Sequence, residues 1–134
     1  MPQSAHAIAQ NSYSRCLRAQ GFFPSFYDRL LASDPAVPPM FAHTEFPKQH
    51  KLLQHGLGLL LSYAKRPDDT LLERIAARHS AGGVNVPPEM YGIFVDELLE
   101  TVREHDPRCD DEVEAAWREA VAPGISFMQS RYKS

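Results

Sequence analysis

Leu71-Leu72-Glu73-Arg74-Ile75-Ala76-Ala77-Arg78-His79, followed by Ser80-Ala81-Gly82-Gly83-Val84, is the stretch on which the fold turns. On a helix, Leu72, Ile75, Ala76 and His79 fall at i, i+3, i+4 and i+7 and share one face. Glu73, Arg74, Ala77 and Arg78 take the other faces, and Gly82-Gly83 supplies a stop one turn later. A single imidazole therefore ends an apolar stripe and aims into a core. Two readings are open at this point. His79 is either a core histidine whose nitrogens the backbone satisfies, or an axial ligand to a metal held inside the core.

Outward from this stretch, further helices follow one another between proline-marked corners. Residues 5–20 form a first helix with Ile8, Tyr13, Cys16 and Leu17 on its apolar side, ended by Gly21. Phe22 to Leu31 is the second, with Phe23, Phe26, Tyr27, Leu30 and Leu31 on a broad face and Pro24 in its first turn. Ser33 or Asp34 caps a short third helix that begins at Pro35 and ends at Met40-Phe41; its internal prolines predict a tight, partly 3₁₀ turn. From Pro47 a long helix runs to about Ala64. Lys48, Leu52, His55 and Leu59 share one of its faces, with Leu53, Gly56 and Leu60 beside them, and Gly56 would let another helix pack close. Pro67-Asp68-Asp69 opens the His79 helix with acids at its N-terminus.

Pro87-Pro88-Glu89 starts the next helix, striped by Tyr91, Phe94, Val95, Leu98 and Val102 and ending near His105-Asp106-Pro107. The last is capped around Asp110-Asp111 and carries Val113, Ala116, Trp117, Ala120, Gly124, Phe127 and Met128; Pro123 in its interior predicts a kink. No stretch alternates as a strand does. The expectation is a single all-α domain over residues 1–134 with about seven helices, too unequal in length for an up-down four-helix bundle.

The bulk numbers narrow the partners. A chain of 134 residues is long enough to bury one real core. Its net charge of −3 argues against nucleic acid and against a polybasic membrane patch. No apolar run approaches the roughly 20 residues of a membrane span. The start, Met1-Pro2-Gln3-Ser4-Ala5-His6, carries no basic region or apolar core of a secretory signal, so a cytoplasmic location is expected. Cys16 and Cys109 read as free thiols, with pairing left open by their unknown separation, and there is no Cys-x-x-Cys-His for covalent haem attachment.

In this order the features resemble a globin, most closely the bacterial single-domain haemoglobins and the globin domain of flavohaemoglobins. Phe26-Tyr27, eight residues before Pro35, matches the distal tyrosine position. Met40-Phe41 matches the phenylalanine that packs on the haem face. Lys48 and Leu52 match the distal polar position and the apolar residue above the iron. Ile75 to His79, then Gly83-Val84 and Pro88-Glu89-Met90-Tyr91, match the proximal histidine segment and the helix after it.

The resemblance implies a globin fold around a haem b pocket, with His79 as the iron ligand and its other ring nitrogen donating to a carbonyl one turn back, that of Ile75. It implies that Tyr27 donates to a bound diatomic ligand. Lys48 stands where the family has His or Gln: it is either a solvated lysine, or it donates to the ligand, pairs with a propionate, or binds iron if neutral. Lys51 is the better propionate candidate, His43 could reach a propionate from its corner, and His50 is expected to face solvent. His55 is placed at the haem edge, as an alternative distal ligand. Phe41, Leu52, Phe94, Val95 and Leu98 would wall the pocket.

Two departures stand out. Tyr91 matches the family's tyrosine that, bonded to a late glutamate, supports the proximal histidine, but the His79-to-Tyr91 spacing is about two residues longer than in the family. Gln129, Ser130, Arg131 and Tyr132 also occupy the region where a late glutamate supports the proximal histidine. The implied function is reversible binding of dioxygen, or of nitric oxide, for storage, transport or scavenging by a monomer or homodimer. The alternatives are nitric oxide dioxygenation with a separate reductase and a haem-based sensor.

Overall fold

The computed structural model describes residues 3–67, 69–79 and 86–132. Among these residues there are six α-helices: α1 Ala5–Arg18, α2 Phe22–Ser33, α3 Phe46–Lys65, α4 Asp69–His79, α5 Met90–His105 and α6 Asp111–Ser130, with a 3₁₀ turn at Pro38–Phe41 between α2 and α3. Among the described residues there is no strand, and no helix is long and apolar enough to cross a membrane. Asp68 and the Gly-Gly stop after His79 lie outside the described residues.

The helix ends follow from local chemistry. Ser4 caps α1 by accepting from the Ala7 amide at 3.1 Å, and Asp110 caps α6 by accepting from the Val113 amide at 2.9 Å. Gly21 joins α1 to α2 in the left-handed region, at φ 85°, where a side chain would be strained. Asp34 turns the chain after α2, its carboxylate accepting from the Ala36 amide at 2.8 Å. The prolines beyond it tighten the next segment into the 3₁₀ turn that the sequence predicts. α6 runs as one helix across Pro123, which removes one N–H from the ladder without ending it.

The core forms where α1, α3 and α4 pack on α6 and α2 packs on α5. α1 turns inward through Ala9, Ser12, Tyr13 and Cys16; Leu17, expected on that face, is 41% exposed. The close helix approach expected at Gly56 occurs instead at Gly124. A Cβ there would lie 2.5 Å from Leu60 Cδ2, whereas nothing lies within 4 Å of one at Gly56. α3 and α6 therefore cross with Leu60 pressed onto the bare backbone of Gly124. Both cysteines are free thiols, Cys16 buried and Cys109 half-buried.

A polar knot joins the two ends of the chain. The Trp117 indole N–H donates to Ser12 Oγ at 2.9 Å, and Ser12 donates to Asp106 Oδ2 at 2.6 Å. Arg15 reaches the same carboxylate through Nε at 2.5 Å and Nη2 at 3.0 Å, and the Arg108 amide donates to it at 2.9 Å. Asp106 is only 2% exposed. Burial alone raises a carboxyl pKa, but the bonds from Arg15, Ser12 and Arg108 with the Arg15 charge outweigh it, and Asp106 titrates below its ordinary value.

Candidate functional site

Between α2, α3, α4 and α5 lies a mostly apolar cavity of about 330 Å³, within the range of small-molecule sites. Phe26, Tyr27 and Leu30 come from α2, Met40 and Phe41 from the 3₁₀ turn, and Leu72, Ile75, Arg78 and His79 from α4. Met90, Tyr91, Ile93 and Phe94 come from α5, and Ile125 and Met128 close it from α6.

His79 sits on its wall as the stripe requires. Its Nδ1 lies 3.4 Å from the Tyr91 hydroxyl, on α5, rather than meeting the Ile75 carbonyl expected from the sequence. The start of α5 is near enough for a side chain to take over the role of the backbone. With the proton on Nδ1, His79 donates to Tyr91 Oη and Nε2 keeps its lone pair. Burial first, and the Arg78 charge second, lower the His79 pKa, so the imidazole is held neutral, the form that binds metals. Burial also pushes the Tyr91 hydroxyl up to about 12. Gln129, which stands in the region expected to hold a glutamate, donates its amide to the Pro88 carbonyl at 3.0 Å and so ties α6 to the start of α5.

The second polar group of the cavity is Tyr27. Burial pushes its hydroxyl up to about 12, against a smaller opposing effect of its bond with Gln49, so it stays protonated at any physiological pH. Gln49 Nε2 donates to Tyr27 Oη at 3.0 Å. The oxygen is thus used as an acceptor, and among the described residues no acceptor takes the hydroxyl proton, which remains available to the cavity.

Gln49 is the residue that the sequence reading missed. Lys48 has an exposed side chain and does not border the cavity. α3 is rotated by one residue, about 100°, from the expected orientation, so that Gln49, Leu53, Gly56 and Leu60 face inward. Leu52 still borders the cavity but is 44% exposed. The signal was present in the sequence: the inward side of α3 gathers Leu53, Leu57, Leu60 and Leu61, against Leu52 and Leu59 on the expected face.

The remaining expectations divide in the same way. Phe41, Phe94 and His55 border the cavity, His55 from an exposed position at its edge. Lys51 lies with His55 over a separate shallow hollow outside, lined also by Gln10, Gln54 and Ser62. Val95 and Leu98 do not face the cavity; Leu98 is fully buried in the core behind it, one turn deeper on α5. His43 is exposed. His50, expected in solvent, is half-buried and stacked on Tyr27. Arg78 is the one Lys or Arg side chain bordering the cavity among the described residues.

An all-α chain that gathers a neutral imidazole and two buried phenols around an apolar hollow defines a class of small-ligand proteins built on a helical core. This chain belongs to the globin family: the family's model, described simply as Globin, matches residues 24–127. It is similar to a flavohemoprotein of Vibrio cholerae, 33% identical over 103 residues, and to one of Rhizobium meliloti, 27% identical over 122 residues. The matches take in 71% and 87% of this chain but only 25% and 28% of those proteins. The fold is also that of a crystallised Pseudomonas aeruginosa protein described as structurally highly homologous to a human haemoglobin. That comparison has a TM-score of 0.95 at 38% identity and covers 98% of this chain and 100% of the other.

Proposed function

We propose that the chain is a haem b globin that binds a diatomic gas reversibly, dioxygen first and nitric oxide second. The observation that carries this reading is one cavity that holds both the neutral His79 imidazole and the Tyr27–Gln49 pair within an otherwise apolar wall.

The donor set fits the cofactor. Among the described residues no three His, Cys, Asp or Glu side chains converge as a bare metal ion would need. A lone imidazole suits a metal whose other ligands come from its own macrocycle. When bound, haem would supply an iron atom able to take a gas molecule. His79 Nε2 is the nitrogen left for that iron, with Tyr91 Oη holding the ring plane from the Nδ1 side. Phe41 and Phe94 would offer flat apolar surface to the macrocycle, and Leu53 would add apolar cover beside the Tyr27–Gln49 pair. Tyr27 Oη keeps its proton and donates it to the polar end of the gas, while Gln49 Nε2 fixes where that hydroxyl points. Arg78, in place of Lys48 or Lys51, is the cation for a propionate, and His55 guards the cavity edge.

The test is the absorption spectrum of the purified chain with added haem, ferric, ferrous and with carbon monoxide, for wild type and His79→Ala. Wild type should take up haem and form the carbon monoxide complex. His79→Ala should lose the axial-nitrogen signature and regain it with free imidazole. A wild type that takes up no haem sinks the proposal.

A further inference from the structure

His50 is the one residue of α3 whose ring lies nearly flat against Tyr27: the centroids are 5.5 Å apart and the planes 24° apart. The other rings around Tyr27 meet it at steep angles, Phe26 at 71°, Phe41 at 69° and Phe46 at 66°. The imidazole also lies at 23° to Phe23, with centroids 6.4 Å apart. Phe23 and Tyr27 are four apart on α2, so their rings rise from the same face one turn apart, and His50 crosses both.

Gln49 and His50 are consecutive, and they hold the same tyrosine at two different places. Gln49 takes the hydroxyl, and His50 takes the ring face. Edge-on neighbours limit how far a ring slides, but a parallel neighbour fixes its plane. The plane of a phenol does not move its oxygen, which lies on the Cβ–Cζ axis, but it decides where the O–H bond points, because that bond keeps close to the plane of the ring. A half-buried imidazole suits this position, since its face packs on the rings and its nitrogen edge keeps access to water.

We infer that His50 is a positioning residue for gas binding: its ring fixes the plane of Tyr27, and through it the direction in which the Tyr27 hydroxyl donates into the cavity. This rests on the haem-globin reading above. It predicts that a flat ring is needed at position 50, and that the imidazole nitrogens and any charge on them are not.

The experiment compares His50→Leu and His50→Phe with wild type as haem-loaded protein, each also in a Tyr27→Phe background. The readouts are the carbon monoxide stretching frequency, the dioxygen dissociation rate and the melting temperature. His50→Leu should shift the stretching frequency and speed dissociation by about two- to tenfold, the span of one aromatic pair. His50→Phe should keep both near wild type. In the Tyr27→Phe background, which has no hydroxyl to aim, His50→Leu should leave both readouts unmoved.

The inference is overturned if His50→Leu lowers only the melting temperature, which would make the ring mere filling. It is equally overturned if Leu and Phe shift the readouts alike, or if the effect persists without the Tyr27 hydroxyl. Wild type that binds haem and carbon monoxide while the variants behave in any of these ways would remove the role of His50 and leave the haem reading intact. Wild type that binds no haem would remove both.

Discussion

Replacing Asp106 by Asn keeps the shape of the buried side chain and removes its charge. Four donors now converge on that carboxylate: Arg15 Nε, Arg15 Nη2, Ser12 Oγ and the Arg108 amide. An amide has one acceptor oxygen and presents its own N–H groups to the others, so at least one donor loses its partner. Breaking one side of a buried ion pair costs about 3–5 kcal/mol. The Arg15 side chain is 17% exposed and keeps some contact with water, which places the expected cost near the lower end, about 3 kcal/mol at pH 7. For a chain of this size that is roughly a 10 °C fall in melting temperature.

The pH dependence has a definite sign. The folded pKa of Asp106 lies below its ordinary value of 3.8. Its contribution is therefore full well above that value and is lost as pH falls through it toward the lowered folded pKa. As pH falls through 3.8 toward 3 the gap between wild type and Asp106→Asn should narrow. Urea denaturation of both proteins from pH 7 to pH 3 reads this directly. A gap under about 1 kcal/mol at pH 7, or one that stays constant down to pH 3, would refute the reasoning.

Other substitutions probe the site. Gln49→Leu should speed gas dissociation by about two- to tenfold, the worth of one neutral hydrogen bond, while Lys48→Gln leaves it unchanged; stopped-flow mixing separates the two. Arg78→Gln should speed haem transfer to an excess of a haem-scavenging apoprotein, and the difference from wild type should vanish with haem dimethyl ester, which lacks propionate charge. Gly124→Ala should cost about 1–3 kcal/mol in denaturant titration, because the new methyl meets Leu60 and the crossing must spread or Leu60 must rotate toward the cavity.

The sequence carried the elements that depend on neighbours a few residues apart. The stripe ending at His79, the Asp110 cap, the Gly21 junction and the proline-tightened turn before Phe41 are all local patterns, and the fold places them as read. Two things lay beyond these local patterns. One was the azimuth of α3: Leu52 and Leu53 are adjacent and equally apolar, so a choice between faces 100° apart depended on counting leucines a turn or two further on. That one choice put Lys48 rather than Gln49 on the cavity side of α3 and sent His50 into solvent. The other was any pairing over a long separation. Ser12, Asp106 and Trp117 meet across 94 and 105 residues of chain, and nothing about a serine on the first helix announces an indole on the last. The approach of Tyr91 to His79 was implied only by the resemblance, because local spacing offers a carbonyl one turn back and the phenol comes from another helix.

The crossing at Leu60 and Gly124 makes α3 a lever. The buried residues of that helix, Leu57, Leu60 and Leu61, lie in its second half, beside the fulcrum. Gln49 and His50 lie on the other arm, which is held mainly through Tyr27, roughly 16 Å away along the axis at 1.5 Å per residue. A tilt of about 5° at the pivot swings them by roughly 1.4 Å, enough to break a 3.0 Å bond to Tyr27. A tilt of that size would therefore loosen Gln49 from the Tyr27 hydroxyl, and a methyl group added at Gly124 should be felt at the far end of the helix.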